Sequence, residues 1–201
     1  MDALKYKVYF GGSYREQWSD DYCMTVAYSD RRMVEAVFSQ GRWTAAGGDE
    51  ELCSLLESAG PEELIQQYFQ ASATSYAAIH DCLLRGLPLD RLGECLYSRG
   101  NPLVGPELMR VLMDDCGMAL NTAYQITAHC CDDLRSTGVN MNDMYALQPR
   151  TAHVIGILRH TAATELSVSH DSRLALCRSP FGAVECGGAL RLAFRLLGGK
   201  V

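Results

Sequence analysis

The sequence predicts an α/β fold, mainly helical, in which an N-terminal antiparallel β-meander is followed by a reduced Rossmann-like helical part. Three observations predict it. Short alternating or β-branched runs fill the first forty positions. From Pro61 onward, apolar residues recur at helical spacing behind Gly-Pro-Glu starts. Two short apolar segments, Glu94 to Tyr97 and Arg173 to Cys177, are each followed by turn residues and then a helix, the βα order of a parallel pair. At 201 residues and 48% hydrophobic, the chain is long enough for one domain with its own core. The expected layout is a single domain over 1–201, with the meander at 1–38, loop and linker at 39–60, and the helical α/β part at 61–201.

In the meander, Tyr6, Val8 and Phe10 alternate with Lys5, Lys7 and Tyr9, and Gly11-Gly12 breaks the run. Cys23 to Tyr28 and Met33 to Phe38 repeat the strand signal around the turn-rich Ser29-Asp30-Arg31-Arg32. Residues 39–50 carry three glycines and no apolar period, which reads as a loop. Gly60-Pro61-Glu62-Glu63 then opens a helix, since proline is tolerated at the first helical position and acids favour the positive end of the helix dipole. Its apolar stripe is Ile65, Phe69, Ala73, Tyr76 and Leu83, ending before Gly86. Gly105-Pro106-Glu107 repeats the start, with Leu108, Val111 and Leu112 on one face and Gly117 at the end. A third helix is expected from Asn121 or Thr122 to about Arg135, aligning Tyr124, Ala128, Cys131 and Leu134. A fourth opens near Pro149 and buries Ile155 and Leu158. The last spans about Ala183 to Leu197.

Net charge −6 provides no basic stripe for phosphate, so nucleic acid is not the expected partner. The apolar runs fall short of the roughly 20 residues of a bilayer span, and Met1 to Lys7 has no signal-peptide core. No membrane partner is expected, and the chain reads as soluble and cytoplasmic. The nine cysteines, at 23, 53, 82, 95, 116, 130, 131, 177 and 186, contain no C-x2-C pair and several sit among apolar neighbours, as buried thiols do. In His129-Cys130-Cys131-Asp132-Asp133 only His129 shares a helix face with Asp132 and Asp133, so no metal site is assigned.

Nothing is assigned to catalysis or to a cofactor either. The G-x-S-x-G elbow, the P-loop, H-E-x-x-H and a strand-borne G-x-G-x-x-G are all missing. Glu185-Cys186-Gly187-Gly188 reads as close helix packing rather than a ligand cradle. Asp114 and Asp115, like Asp132 and Asp133, are sequence neighbours that point apart on a helix and read as solvated faces rather than acid/base pairs. His153 and His160 share a helix face seven residues apart, which is common on helix surfaces.

A resemblance adds to this reading. Pro106-Glu107-Leu108-Met109-Arg110-Val111-Leu112-Met113-Asp114-Asp115 resembles the P-E-L-M-R-x-L-x-D-E of the α-glucan phosphorylases, and Ala123-Tyr124-Gln125-Ile126-Thr127 is similar to their A-W-E-I-T. Glu63 to Thr74 resembles E-L-R-x-x-Q-Y-F-x-x-S-A-T, Tyr6 to Gly12 resembles x-x-V-x-F-G-G, and Leu147-Gln148-Pro149-Arg150 resembles L-L-P-R. Arg173 to Arg191 follows, in order, the strand and helix around G-S-H-x-V-N-G-V-A. These are pyridoxal-phosphate enzymes that release glucose 1-phosphate from glycogen, starch or maltodextrin.

The departures from that family fall on its polar site. The histidine of N-D-T-H-P falls on Gly100, A-Y-T-N-H-T falls on Asp132 to Thr137, and G-S-H-x-V-N-G falls on Pro180 to Cys186. P-Y-D-T-P-x-P-G-Y has no counterpart after Val37. The given chain ends before the domain that holds the cofactor lysine and the phosphate-binding cations. The resemblance therefore implies a non-catalytic, phosphorylase-like protein without cofactor, a truncated relative of the N-terminal half, acting as a protein-interaction or self-associating module. Its expected partner is a second copy or another protein. An α-glucan is the alternative ligand, although the glutamate of Y-E-I-N falls on Ile157 and the aromatic platforms are few: Trp18, Trp43 and scattered tyrosines. A split phosphorylase completed by a partner chain is a further alternative.

Overall fold

A computed structural model describes residues 4–18, 24–96, 100–131, 138–168, 181–186 and 189–194. The mixed α/β class is as predicted: an antiparallel β-sheet unit at the N-terminus is followed by helices. The meander is built differently from the expectation. β1 (Lys5–Phe10) pairs with β4 (Arg32–Ser39), and β2 (Ser13–Trp18) pairs with β3 (Met24–Ser29), both antiparallel. The two ladders share one register: Phe10 faces Arg32, two residues are skipped on each strand, and Ser13 faces Ser29. They are the halves of one long hairpin, interrupted at Gly11-Gly12 and Asp30-Arg31. Gly12 has φ +77, and a Cβ there would meet the Ser29 carbonyl oxygen at 2.3 Å, so the interruption demands glycine.

The loop expected at 39–50 is a strand, β5 (Arg42–Gly48), which completes the sheet order β1-β4-β5. Gln40 and Gly41, both at positive φ (50° and 79°), make the two-residue turn that matches strand twist. The linker expected up to residue 60 is α1 (Glu50–Ser58). Asp49 caps it by accepting the Leu52 N–H at 3.0 Å, while Arg32 donates Nε to the same carboxylate at 2.7 Å.

α2 (Leu64–Leu84) begins three residues after Pro61, because the Glu63 carboxylate accepts the Gly60 N–H at 2.7 Å and closes residues 60–63 as a turn. It ends in a Schellman motif: the Gly86 N–H donates to the Leu83 carbonyl, and that of Leu87 to the Cys82 carbonyl. Phe69 and Ala73 are buried as predicted, but Leu83 is 61% exposed, because the inner face passes through Ser75, Ala78 and Ile79 to Cys82. α3 (Val104–Asp114) is buried on every side from Val104 to Met113, not on one face only. α4 (Leu120–Cys130) ends near Cys131, and the predicted Leu134 and Arg135 lie outside the described residues.

A short strand, β6 (Gly138–Asn140), and α5 (Met141–Leu147) were not expected, whereas α6 (Pro149–Val168) opens at Pro149 and buries Ile155 and Leu158 as predicted. Two expectations are corrected. Residues Leu89–Glu94 form a 3-10 helix, so no strand starts at Glu94. In place of a helix from Ala183 there are two antiparallel strands, β7 (Phe181–Cys186) and β8 (Ala189–Phe194), whose ends Cys186 and Ala189 pair. A glycine pair between two apolar runs is a hairpin signal that outweighs helical spacing here. The segment Arg173 to Cys177 lies outside the described residues, and every pairing among the described strands is antiparallel.

The core runs from Val8, Phe10, Val34 and Ala36 on the sheet through Tyr68 and Phe69 of α2 to Leu108, Met109 and Leu112 of α3. Among the described residues no helix is long and apolar enough to cross a membrane.

Asp49 ties the sheet to α1, and this tie is acid-sensitive. The hydrogen bond from Arg32 and the Leu52 N–H hold its carboxyl at about 2, against an ordinary 3.8. A depressed carboxylate stabilises the fold fully above the unfolded value and loses that contribution as pH falls through the folded one. The expected urea midpoint therefore drops between about pH 4 and 2. Asp49→Asn should be less stable at neutral pH and should lack that component of the acid limb.

Candidate functional site

Two features stand out above the fold: a buried network of charges and an open groove. The network is centred on Glu107 and Arg110, one turn apart in α3 and both fully enclosed. Arg110 donates through Nε to Glu107 Oε2 at 3.0 Å and through Nη2 to Oε1 at 2.8 Å. Ser72 of α2 donates to Glu107 Oε1 at 2.8 Å and Thr151 of α6 donates to Oε2 at 2.6 Å. One carboxylate thus ties three helices together. The Tyr68 hydroxyl continues the chain to the sheet by donating to the Tyr9 carbonyl at 2.9 Å, which Gln148 Nε2 also reaches at 3.0 Å.

One turn along α3, Asp114 receives Arg150 of α6 at 3.1 Å from Nε and 2.9 Å from Nη2, together with the Tyr28 hydroxyl. Arg150 also donates to Glu16, and the Tyr14 hydroxyl bonds His153 Nδ1 at 2.6 Å. Asp115 accepts Tyr76 at 2.6 Å and Arg110 Nη1 at 3.4 Å. Burial opposes the charge on Arg110, but Glu107 beside it more than restores it, and its pKa lies well above the ordinary value. Burial raises the Tyr28 hydroxyl, with Arg110 opposing and Asp114 adding. Chemically, this network holds opposite charges in fixed pairs and keeps its phenols protonated, which orients the helices.

Asp114 and Asp115 were expected on solvated faces. The Asp114 side chain is instead enclosed, whereas Asp115 is exposed as expected while bonding two partners, and both carboxylates lie within 4 Å of Arg110 Nη1 rather than pointing apart. Glu107, Arg110, Thr151 and Arg150 went unrecognised as a site. The signal was the i, i+3, i+7 spacing of Glu107, Arg110 and Asp114 on a helix whose other positions are apolar.

The groove has a volume of about 1290 Å³. Its sheet wall is Tyr6, Phe38 and Trp43, with Trp43 edge-on to Tyr6 at 5.5 Å and to Phe38 at 5.0 Å. Its helical wall is the α2 face Gln66, Gln70, Thr74, Ala77 and Asp81, and its far side runs from Cys95 and Leu96 to Gly100, Asn101 and Val104. The carboxamides that line it are already engaged. Gln66 donates to the Leu56 carbonyl at 2.9 Å, and Gln67 donates to that of Glu62 at 3.2 Å. Gln70 both donates to the Trp43 carbonyl at 2.7 Å and accepts the Trp43 N–H at 3.1 Å. Asn101 donates to the Gln67 carbonyl at 2.6 Å and accepts the Leu103 N–H at 2.9 Å. Trp43 Nε1 donates to Thr74 at 3.0 Å. Leu4 and Phe38 stay 59% and 56% exposed at the rim.

Of the remaining residues singled out from the sequence, Gly100 and Trp43 meet in this groove. His129 is exposed, with Nδ1 3.3 Å from the Gln125 carbonyl, whereas Cys130 and Cys131 are buried. Among the described residues no group of three or more His, Cys, Asp or Glu is placed to hold a metal ion. Ile157 lies on α6, and Glu185 and Cys186 lie on β7. Asp132, Asp133, Tyr97, Gly187, Gly188 and the side chains of Trp18 and His160 are outside the described residues.

Removing one half of the buried pair, as in Arg110→Met, leaves Glu107 enclosed and uncompensated. It should cost about 3–5 kcal/mol in urea unfolding, whereas Arg85→Met at an exposed pair should leave stability unchanged. Burial lifts the Cys130 thiol up to about 12. Iodoacetamide on the native protein should therefore spare Cys130, and exposure should make Cys116 the first of the described thiols to be labelled even though burial and Asp115 raise its pKa too, as mapped by peptide mass.

No protein-family profile matches the chain, and no curated protein sequence matches it.

Proposed function

We propose that this chain is a non-catalytic, phosphorylase-like binding module that uses the groove between β5, α2 and residues 100–104 to contact a polypeptide, first of all a second copy of itself. The observation that carries the reading is the state of the groove's polar groups. Its four carboxamides and the Trp43 indole spend hydrogen bonds inside the wall, so what faces outward is chiefly aromatic and aliphatic. A concave apolar surface with exposed Leu4 and Phe38 at its rim suits protein contact.

The absence of catalysis in this reading rests on Gly100, where the α-glucan phosphorylases carry a histidine, and on carboxylates committed to guanidinium partners. Residues 61–201 would then be the remnant of that family's Rossmann-like part. A cytoplasmic location fits the six cysteines whose side chains are described, all of them free thiols. The α-glucan alternative is favoured by one observation, the clustering of Tyr6, Phe38 and Trp43 on a single wall.

Calorimetric titration with a maltodextrin, together with light scattering on the same sample, separates the two. Polypeptide contact predicts no saturable heat and a defined oligomer that Phe38→Asp dissociates. Saturable heat abolished by Trp43→Ala would overturn it in favour of the glucan.

A further inference from the structure

The β2–β3 ribbon is attached to the rest of the molecule in an unusual way. Its strands continue β1 and β4 only through Gly11-Gly12 and Asp30-Arg31, where pairing lapses and Gly11, Gly12 and Asp30 have φ of 63°, 77° and 55°. Beyond that point no described side chain of the ribbon belongs to the apolar core or packs against it. Polar and aromatic contacts hold it down instead. Glu16 accepts from Arg150 and lies 3.7 Å from His153 Nδ1. Tyr14 bonds His153 at 2.6 Å and stacks on its ring at 5.9 Å, and Tyr28 donates to Asp114. These receiving groups belong to α3 and α6, and at the joint itself the Arg31 guanidinium lies 3.8 Å from the Tyr28 ring and 4.1 Å from that of Tyr9 in β1.

A two-stranded ribbon is marginally stable by itself and depends on what it packs against. Here it packs against charges, and one anchor, Glu16, keeps 29% of its side chain in solvent, where salt screens it. The other half of the same hairpin is anchored differently. Val8, Phe10, Val34 and Ala36 are in the core, and the Gly11 N–H donates to the Leu147 carbonyl at 2.7 Å, just before the joint.

We infer that β2–β3 is a latched arm, which detaches from α3 and α6 as a unit, pivoting at Gly12 and Asp30, while β1, β4 and the helices stay folded. Closed, the arm lays the Tyr14 ring 5.2 Å from the Arg150 guanidinium. Open, it uncovers that guanidinium and releases Glu16 from it. No arm residue lines the groove, so this inference stands or falls independently of the binding reading.

Amide hydrogen exchange on the full chain tests it. The paired amides of β2 and β3 should exchange at least about tenfold faster than those of β1 and β4, because they open locally rather than globally. Glu16→Gln should speed the arm several-fold further and leave β1 and β4 unchanged. About 1 M sodium chloride should do the same to the unaltered protein and add little to Glu16→Gln. Equal protection along the whole hairpin would overturn the inference. So would Glu16→Gln accelerating all four strands by one common factor, the mark of global unfolding.

Discussion

The three central helices are arranged around a carboxylate that has no access to water. Glu107 sits where α2, α3 and α6 converge, and its two oxygens accept from Ser72, Thr151 and Arg110. Enclosing an ionised carboxylate costs several kcal/mol, a cost that is offset only when geometry is exact and the remaining lone pairs are filled. Three helices must therefore meet at one separation and one rotation for the charge to be tolerated. Apolar side chains fill a core in many near-equivalent ways, whereas a buried ion pair accepts very few. Our reading is that the pair supplies uniqueness of packing here, and that the surrounding leucines and methionines supply most of the free energy.

The same logic extends outward in steps. Asp114 carries the pattern one turn along α3 to Arg150, and Arg150 carries it to Glu16 at the surface. Burial falls along this path, from a completely enclosed pair to a contact that solvent reaches. Rigidity follows burial, because screening and competing water weaken each successive link. A single connected network thus has a fixed inner end and a labile outer end. The difference between the anchored and the latched halves of one hairpin comes from that gradient.

Much of this was legible in the sequence, and the failures have physical causes. Pro149 at a first helical turn, with Ile155 and Leu158 behind it, is a local signal that nothing distant overrides. β5 was not legible, because Arg-Trp-Thr-Ala-Ala-Gly-Gly has weak strand propensity and owes its conformation to the β4 partner and the Gln40-Gly41 turn. From Ala183 onward the apolar residues suit either period, and pairing with β8 decides for strand. As for the site, Glu107 looked like a helix-dipole acid. Only the tertiary approach of Ser72 and Thr151, 35 and 44 residues away in the chain, shows that it faces inward.

Gln70 has a consequence of another kind. β5 is the outer strand of its sheet, and the main-chain groups of Trp43 point away from β4. An outer strand with open donors and acceptors is a template on which a foreign strand can grow, the first step toward aggregation. The Gln70 carboxamide offers one donor and one acceptor in the positions a neighbouring strand would use, and it closes the edge at Trp43, the second residue of β5. One side chain borrowed from a helix thus takes, at Trp43, the place a further strand would occupy.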